Sequence, residues 1–177
     1  WIAFLDADDE WESNHLSEHS ELISRYPECQ IISTSWRVVE NIHGKSESNR
    51  FRKSHRGTGS FVIDFYKYLQ SSINGAAPFW TGVISIKRKV LIEAGGFPEG
   101  KSLRGGDVDT WLRSMAHSKY AAWSSKITAK YFRDSVNMVT KSVPFTGSCE
   151  KNTIDRLLEM EADKKLRTAL KKFANAR

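Results

Sequence analysis

Cysteine is nearly absent from this 177-residue chain: Cys29 and Cys149 are the only two. A pair so sparse and widely spaced excludes a disulfide-stapled scaffold and a cysteine-based zinc site. Two reduced thiols in a cytosolic protein is the reading that remains. Proline is also scarce, at four residues, and no low-complexity or collagen-like tract occurs. No apolar run is long enough to cross a bilayer, and no signal-peptide pattern opens the chain. No internal repeat recurs, which sets aside solenoids and propellers. The five histidines show no metal-ligand spacing and read as structural or solvated.

What is present is ordinary for a folded domain: 40% hydrophobic and 27% charged residues with a net charge of +6. The length suffices for one good core, so a single domain is the default. The positive surplus favours anionic partners, namely nucleotide phosphates, acidic lipid headgroups or nucleic acid. It gathers at positions 50–56, 87–89 and 164–177, while the opening segment is acidic.

That opening segment is the most informative. Trp1-Ile2-Ala3-Phe4-Leu5 runs into Asp6-Ala7-Asp8-Asp9-Glu10-Trp11. Five apolar residues in a row predict a central parallel strand buried on both faces. The carboxylates then fall at its C-terminal end, where open α/β sheets bind ligands. Clustered carboxylates disfavour each other's charge unless a cation sits among them. A hard divalent ion, held by one or two carboxylates plus substrate phosphates, suits such a place. The alternative is an acidic loop capping the next helix, with Asp9 or Ser13 as N-cap.

Local patterns predict helices over 13–25, 60–71, 87–94 and 107–117, and one long basic helix over 150–173. In the first, Leu16, His19, Leu22 and Ile23 form the apolar stripe. Strands are expected over 30–39, 79–86, 120–123 and 127–132. Residues 41–59 read as a polar hairpin or loop, and Gly95-Gly96 as a helix stop.

A second motif region follows the first by more than half the chain: Gly95-Gly96-Phe97-Pro98-Glu99, then Gly105-Gly106-Asp107-Val108-Asp109-Thr110-Trp111-Leu112-Arg113. Together the stretches "FLDADDEW", "ISIKRKVLIEAGGFPEG" and "GGDVDTWLR" resemble the inverting family-2 glycosyltransferases of the GT-A fold. The resemblance covers roughly the first 140 residues. It implies an α/β fold with a GT-A-like mixed sheet flanked by helices. Complete domains of that family carry upstream nucleotide-binding strands, so residues 1–147 read as the acceptor-side part of the domain. Residues 148–177 then read as a C-terminal basic helix.

The resemblance also implies the chemistry: metal-dependent inverting transfer of a sugar from a nucleotide-sugar, in particular a UDP-sugar. The acceptor would be a glycan or lipid-linked hydroxyl, feeding a surface polysaccharide or glycolipid. Asp6 and Asp8 match the metal and donor site for Mn²⁺ or Mg²⁺, with Asp8 as the direct ligand. Asp107 matches the general base. Gly106 stands where the family pattern has Glu, which leaves Asp109 as a rival base or substrate contact. Arg133, in the matching post-base loop, is a candidate contact for the diphosphate. Trp80 is a candidate sugar-stacking ring and Gly95-Gly96 a candidate donor-sugar floor. Gly105-Gly106 suit a mobile loop ahead of the base. Trp111 reads as core.

Two rivals stand beside this reading. An inactive remnant could serve as an interaction module. A basic nucleic-acid-binding domain is the weaker rival, since residues 50–56 offer only Phe51 among the cations, and no nucleic-acid partner is expected. A bared opening strand predicts self-association through its edge. The basic tail allows peripheral contact with a membrane, which would place the protein in the cytoplasm or at the membrane's inner face.

Overall fold

A computed structural model describes residues 1–136, 139–144 and 146–176; Arg177, at the end of the basic tail, lies outside them. The strands are β1 (Ile2–Ala3), β2 (Glu10–Trp11), β3 (Ile31–Glu40), β4 (Lys45–Ser48), β5 (Ser60–Asp64), β6 (Ile84–Ile86) and β7 (Tyr120–Phe132). The helices are α1 (His15–Arg25), α2 (Arg50–Ser54), α3 (Phe65–Ile73), α4 (Arg88–Glu93), α5 (Gly106–Ser118), α6 (Val139–Ser142), α7 (Ser148–Met160) and α8 (Lys164–Asn175). The strands form one mixed sheet in the order β1-β6-β3-β7-β2, with β4 added to β3 and β5 to β7.

The long β-branched strand β3 and its parallel partner β7 make the spine of the sheet. Ile31, Ile84, Ile86, Ala121 and Trp123 from its strands share one core with Leu112 and Met115 of α5. The expected pair of strands at 120–123 and 127–132 is instead one strand, β7. Register shifts against β3 around Ser35 absorb the break in its apolar pattern.

The opening strand departs from expectation. Only Ile2 and Ala3 join the sheet, antiparallel to β6 and at one end of the strand order. Trp1 and Leu5 are each 43% exposed. An apolar run signals burial of its side chains but not the direction of its partner. Here Phe4 leaves the ladder and buries its ring against α5 instead.

Other boundaries shift for local reasons. Residues 60–64 form β5 rather than the start of a helix, with Ile63 fully buried. The Asp64 side chain then accepts the Lys67 N–H at 2.6 Å and starts α3. In α1 the inward face is His15, Glu18, His19 and Leu22, while Leu16 is exposed. Residues 41–59 form the β3–β4 hairpin and α2, anchored by buried Phe51. Most of the expected strand at 79–86 is a turn, leaving β6. The long basic helix is two helices, because Asp163 caps a new start by accepting the Leu166 N–H at 2.8 Å. Ile154 of α7 and Ala169, Leu170 and Phe173 of α8 enter the main core. The tail is thus docked, with Lys164, Lys165, Lys171 and Lys172 exposed.

Candidate active site

Three aromatic rings join the sequence motifs. Phe4 packs against Phe97 at 5.6 Å and Trp111 at 5.2 Å between centroids, and Phe97 meets Trp111 edge-on at 5.7 Å. Such pairs add directional attraction to the burial of apolar area. They hold the loop after β1, the loop after α4 and the first turns of α5 around a cavity of about 520 Å³. Ala3, Phe4, Leu5 and Phe97 give it an apolar wall, Thr81 a hydroxyl, and Asp6 and Asp107 its carboxylates.

Backbone geometry delivers Asp107 there. Gly105 adopts φ +87°, a conformation that side-chain-bearing residues rarely take, and α5 begins immediately after it. Gly106 is favoured for a different reason. A Cβ there would lie 3.1 and 3.3 Å from carbons of the Pro98 ring. The glycine at 106, where the resembled pattern has Glu, therefore lets the 97–98 turn close onto α5.

The carboxylates feel one another. The Asp6 carboxyl is pushed above its ordinary range by loss of solvent, then by Asp107 and Asp8. Asp9 is raised to about 7, first by burial, with Asp8 and Asp6 adding to it. Asp9 does not cap α1, whose N-cap is Asn14. It instead accepts the Phe132 N–H at 3.0 Å, pinning the acidic loop to the end of β7. Among the described residues, Asp6, Asp8, Asp9 and Asp107 have no Lys or Arg ion-pair partner.

That donor set suits a hard divalent cation shared with a phosphate-bearing substrate. Among the described residues, no three His, Cys, Asp or Glu side chains converge as a metal cage. A pair of carboxylates could then share the ion with phosphate and water, as is usual for Mg²⁺ at phosphate sites.

The remaining candidate residues fall elsewhere. Asp109 is 2% exposed and committed to the fold. Its Oδ2 accepts Arg113 Nε at 2.9 Å and its Oδ1 accepts the Thr153 hydroxyl at 2.5 Å. With both oxygens engaged it serves as an anchor between α5 and α7, and it lines a different cavity from that of Asp6 and Asp107. Gly95 and Gly96, both at positive φ, end α4 and dock on the same anchor. Arg113 donates to the Gly96 carbonyl at 2.7 Å and to the Ala94 carbonyl. Gly95 borders a different cavity, with Asp109 and Arg113, so it is Phe97 that reaches the wall beside Asp6. Trp111 is core, 2% exposed.

Trp80 is half-buried between Trp36 and Tyr131, at 5.7 and 5.2 Å. Its indole lies where a Cβ on Gly82 would have to go, and the Gly82 carbonyl accepts Trp11 Nε1 at 2.9 Å. Arg133 is exposed and pairs with Glu40 at 3.6 Å. Tyr131 feels both Arg133 and the acidic loop. Burial raises its phenol first, Arg133 opposes, and Asp9, Asp8 and Asp6 add to the rise. Sequence reasoning missed Phe4, Phe97, Thr81 and Tyr131. The aromatic in each motif was the available signal, but aromatics read equally well as core.

Comparison with known proteins bears on the family and the fold. The sequence profile of glycosyl transferase family group 2 matches residues 1–155. None of the curated proteins matches the chain. Among solved structures, the crystal structure of S. aureus TarS 1-349 in complex with UDP-GlcNAc has the same fold, with a TM-score of 0.71 at 12% identity. The match covers 99% of this chain and 48% of that one, so this chain spans about half that structure's length. With the profile spanning most of its residues, the chain belongs to glycosyl transferase family group 2.

Proposed function

We propose that this chain carries the catalytic side of a metal-dependent, inverting transferase. The donor is a nucleotide-sugar of the UDP type, and the acceptor a hydroxyl of a glycan or lipid-linked saccharide. The carrying observation is that Asp6 and Asp107, from motifs far apart in sequence, line one cavity with an apolar wall. The family supports the reaction class. The UDP-GlcNAc in the TarS crystal supports the donor class.

Asp8 and Asp6 would hold Mn²⁺ or Mg²⁺, which supplies charge neutralisation for the departing diphosphate. Asp107 accepts the acceptor's proton. As it does so, the acceptor oxygen bonds to the anomeric carbon and the bond from that carbon to the diphosphate oxygen breaks. Attack from the face opposite the leaving group inverts the centre, as water does in inverting hydrolysis. Phe4 and Phe97 present an apolar wall beside the reacting carbon. Arg133, which borders the neighbouring concavity rather than this cavity, is the candidate guanidinium for the diphosphate.

A thermal-shift panel of UDP, GDP, dTDP and CMP, each with Mn²⁺ or chelator, tests this. The expected result is a UDP-selective shift that needs Mn²⁺ and disappears in Asp8→Asn. A shift indifferent to chelator and to Asp8→Asn would overturn the metal-dependent donor site.

Among the described residues no helix is long and apolar enough to cross a membrane.

A further inference from the structure

A second concavity, of about 470 Å³, has Tyr131 in its wall, one residue from Phe132, whose N–H holds the acidic loop through Asp9. Its wall is aromatic: Trp36 and Tyr131 line it, both half-buried, and Trp80 bridges them. Flat half-exposed rings present an apolar face with no hydrogen-bond demand, which suits the C–H face of a sugar ring.

Its rim is cationic. Arg50, Lys53 and Arg133 all border it, against the single carboxylate of Glu47. Lys53 is engaged by Glu47. The Glu47 carboxyl is held below its ordinary range, first by the Lys53 hydrogen bond and charge, with Arg133 and Arg50 adding. With Lys53 on Glu47 and Arg133 on Glu40, the local positive excess is the Arg50 guanidinium. Arg133 has Glu40 at 3.6 Å, whereas Arg50 has no ion-pair partner among the described residues.

The chain also makes room for that guanidinium. Gly75 turns at φ +67°, and a Cβ there would lie 3.2 Å from Arg50 Nη1. The basic run at 50–56, which the donor site does not use, thus delivers Arg50 and Lys53 to one concavity beside an aromatic wall.

We propose that this concavity is a binding site for an anionic saccharide, a sugar ring bearing phosphate or carboxylate, seated on Trp36 and Tyr131 with its anion against Arg50 and Lys53. Its position next to the acidic loop makes it the acceptor side of the transferase; that role rests on the proposed reaction, whereas the binding does not. A fork of guanidinium donors suits both phosphate and carboxylate oxygens. Glu47 acts as the internal counter-charge that a bound anion displaces.

Calorimetric titration of the intact chain with glucose, glucose 6-phosphate, glucuronic acid and inorganic phosphate tests it. Glucose 6-phosphate is expected to bind about tenfold tighter than either glucose or inorganic phosphate, with glucuronic acid also above glucose. The double variant Arg50→Gln/Lys53→Gln, at exposed positions, loses that gain, and Glu47→Gln strengthens binding. Asp8→Asn leaves it unchanged while removing the Mn²⁺-dependent UDP shift.

Equal affinity for phosphate and glucose 6-phosphate would overturn the saccharide site in favour of a bare anion site. Unchanged binding in the double variant, or its loss in Asp8→Asn, would place the ligand elsewhere and overturn the proposal. Displacement of the sugar phosphate by a short single-stranded oligonucleotide at comparable concentration would also overturn it, in favour of a nucleic-acid surface. Sugar-phosphate binding without any UDP shift would remove the donor reading and leave this site standing.

Discussion

Phe4 and Trp111 lie 5.2 Å apart between ring centroids, and this contact joins the acidic loop to the helix that carries Asp107. One ring follows a two-residue strand, and the other sits in the second turn of α5. The aromatic of each motif places the carboxylate of the same motif.

Removing that contact is expected to disturb fold and site together. Trp111→Ala deletes a ring that is 2% exposed, at a cost of about 3–5 kcal/mol. Urea denaturation followed by circular dichroism reads the loss. A drop below about 1 kcal/mol would mean the ring does not serve as the joint.

Asp107 and Asp109 are expected to separate by phenotype. Asp107→Asn keeps stability and UDP binding but lowers sugar transfer by about 10²–10⁴-fold, the usual worth of a positioned base. Asp109→Asn leaves Arg113 without its buried partner and costs about 3–5 kcal/mol. Parallel denaturation and single-turnover measurements distinguish them. Equal stability losses would contradict the division of labour.

Restoring the family residue at position 106 is expected to harm this chain. In Gly106→Glu the new Cβ would press on Pro98, and overpacking of this kind costs about 1–3 kcal/mol. Phe97, beside Pro98, would shift away from Asp6. A lowered melting temperature with no gain in turnover is the expected result; a gain in both would show that the turn accommodates the side chain freely.

Acid sensitivity is expected to come from the buried histidine pair of α1. His15 and His19 are 1% and 4% exposed. His15 Nδ1 lies 2.9 Å from the Thr128 hydroxyl, and His19 Nδ1 lies 2.8 Å from the Ser85 hydroxyl. Burial lowers His15 to about 4 and His19 to about 3, with His15 adding to the shift of His19. Both are neutral in the folded chain where the unfolded chain already binds protons. Their neutral state costs nothing above pH ~6.5, and stability is lost as pH falls from there toward the folded values. At pH ~5 the loss is about 2 kcal/mol per histidine. Asp9, raised to about 7 by burial, takes up its proton over the same range and offsets part of this loss. Urea midpoints at pH 7 and pH 5 check the balance, and His19→Gln should remove about half of the histidine contribution.

Much of the site was legible because its signals are local. An apolar run ending in Asp6-Ala7-Asp8-Asp9, the Gly95-Gly96 stop and the Gly105-Gly106 turn before a helix each depend on a few neighbouring residues. Capping, glycine conformations and periodicity act over that range, so α1, β3, α4 and α5 could be read from composition and spacing. The same locality explains the two breaks that went unread, at Asp64 and at Asp163. Each is an N-cap whose meaning depends on whether the residues before it are already in another element.

Tertiary structure decided the pairings. Whether β1 runs parallel in the middle of the sheet or antiparallel at its end depends on β6, which no property of residues 1–5 encodes. Asp9 looks like a helix cap until the end of β7 arrives with the Phe132 N–H. Asp109 looks like a rival base until Arg113 and Thr153 close on it. A side chain's own chemistry sets what it can bind, but its partner is whichever group the rest of the chain folds against it, and burial then makes that pairing obligatory.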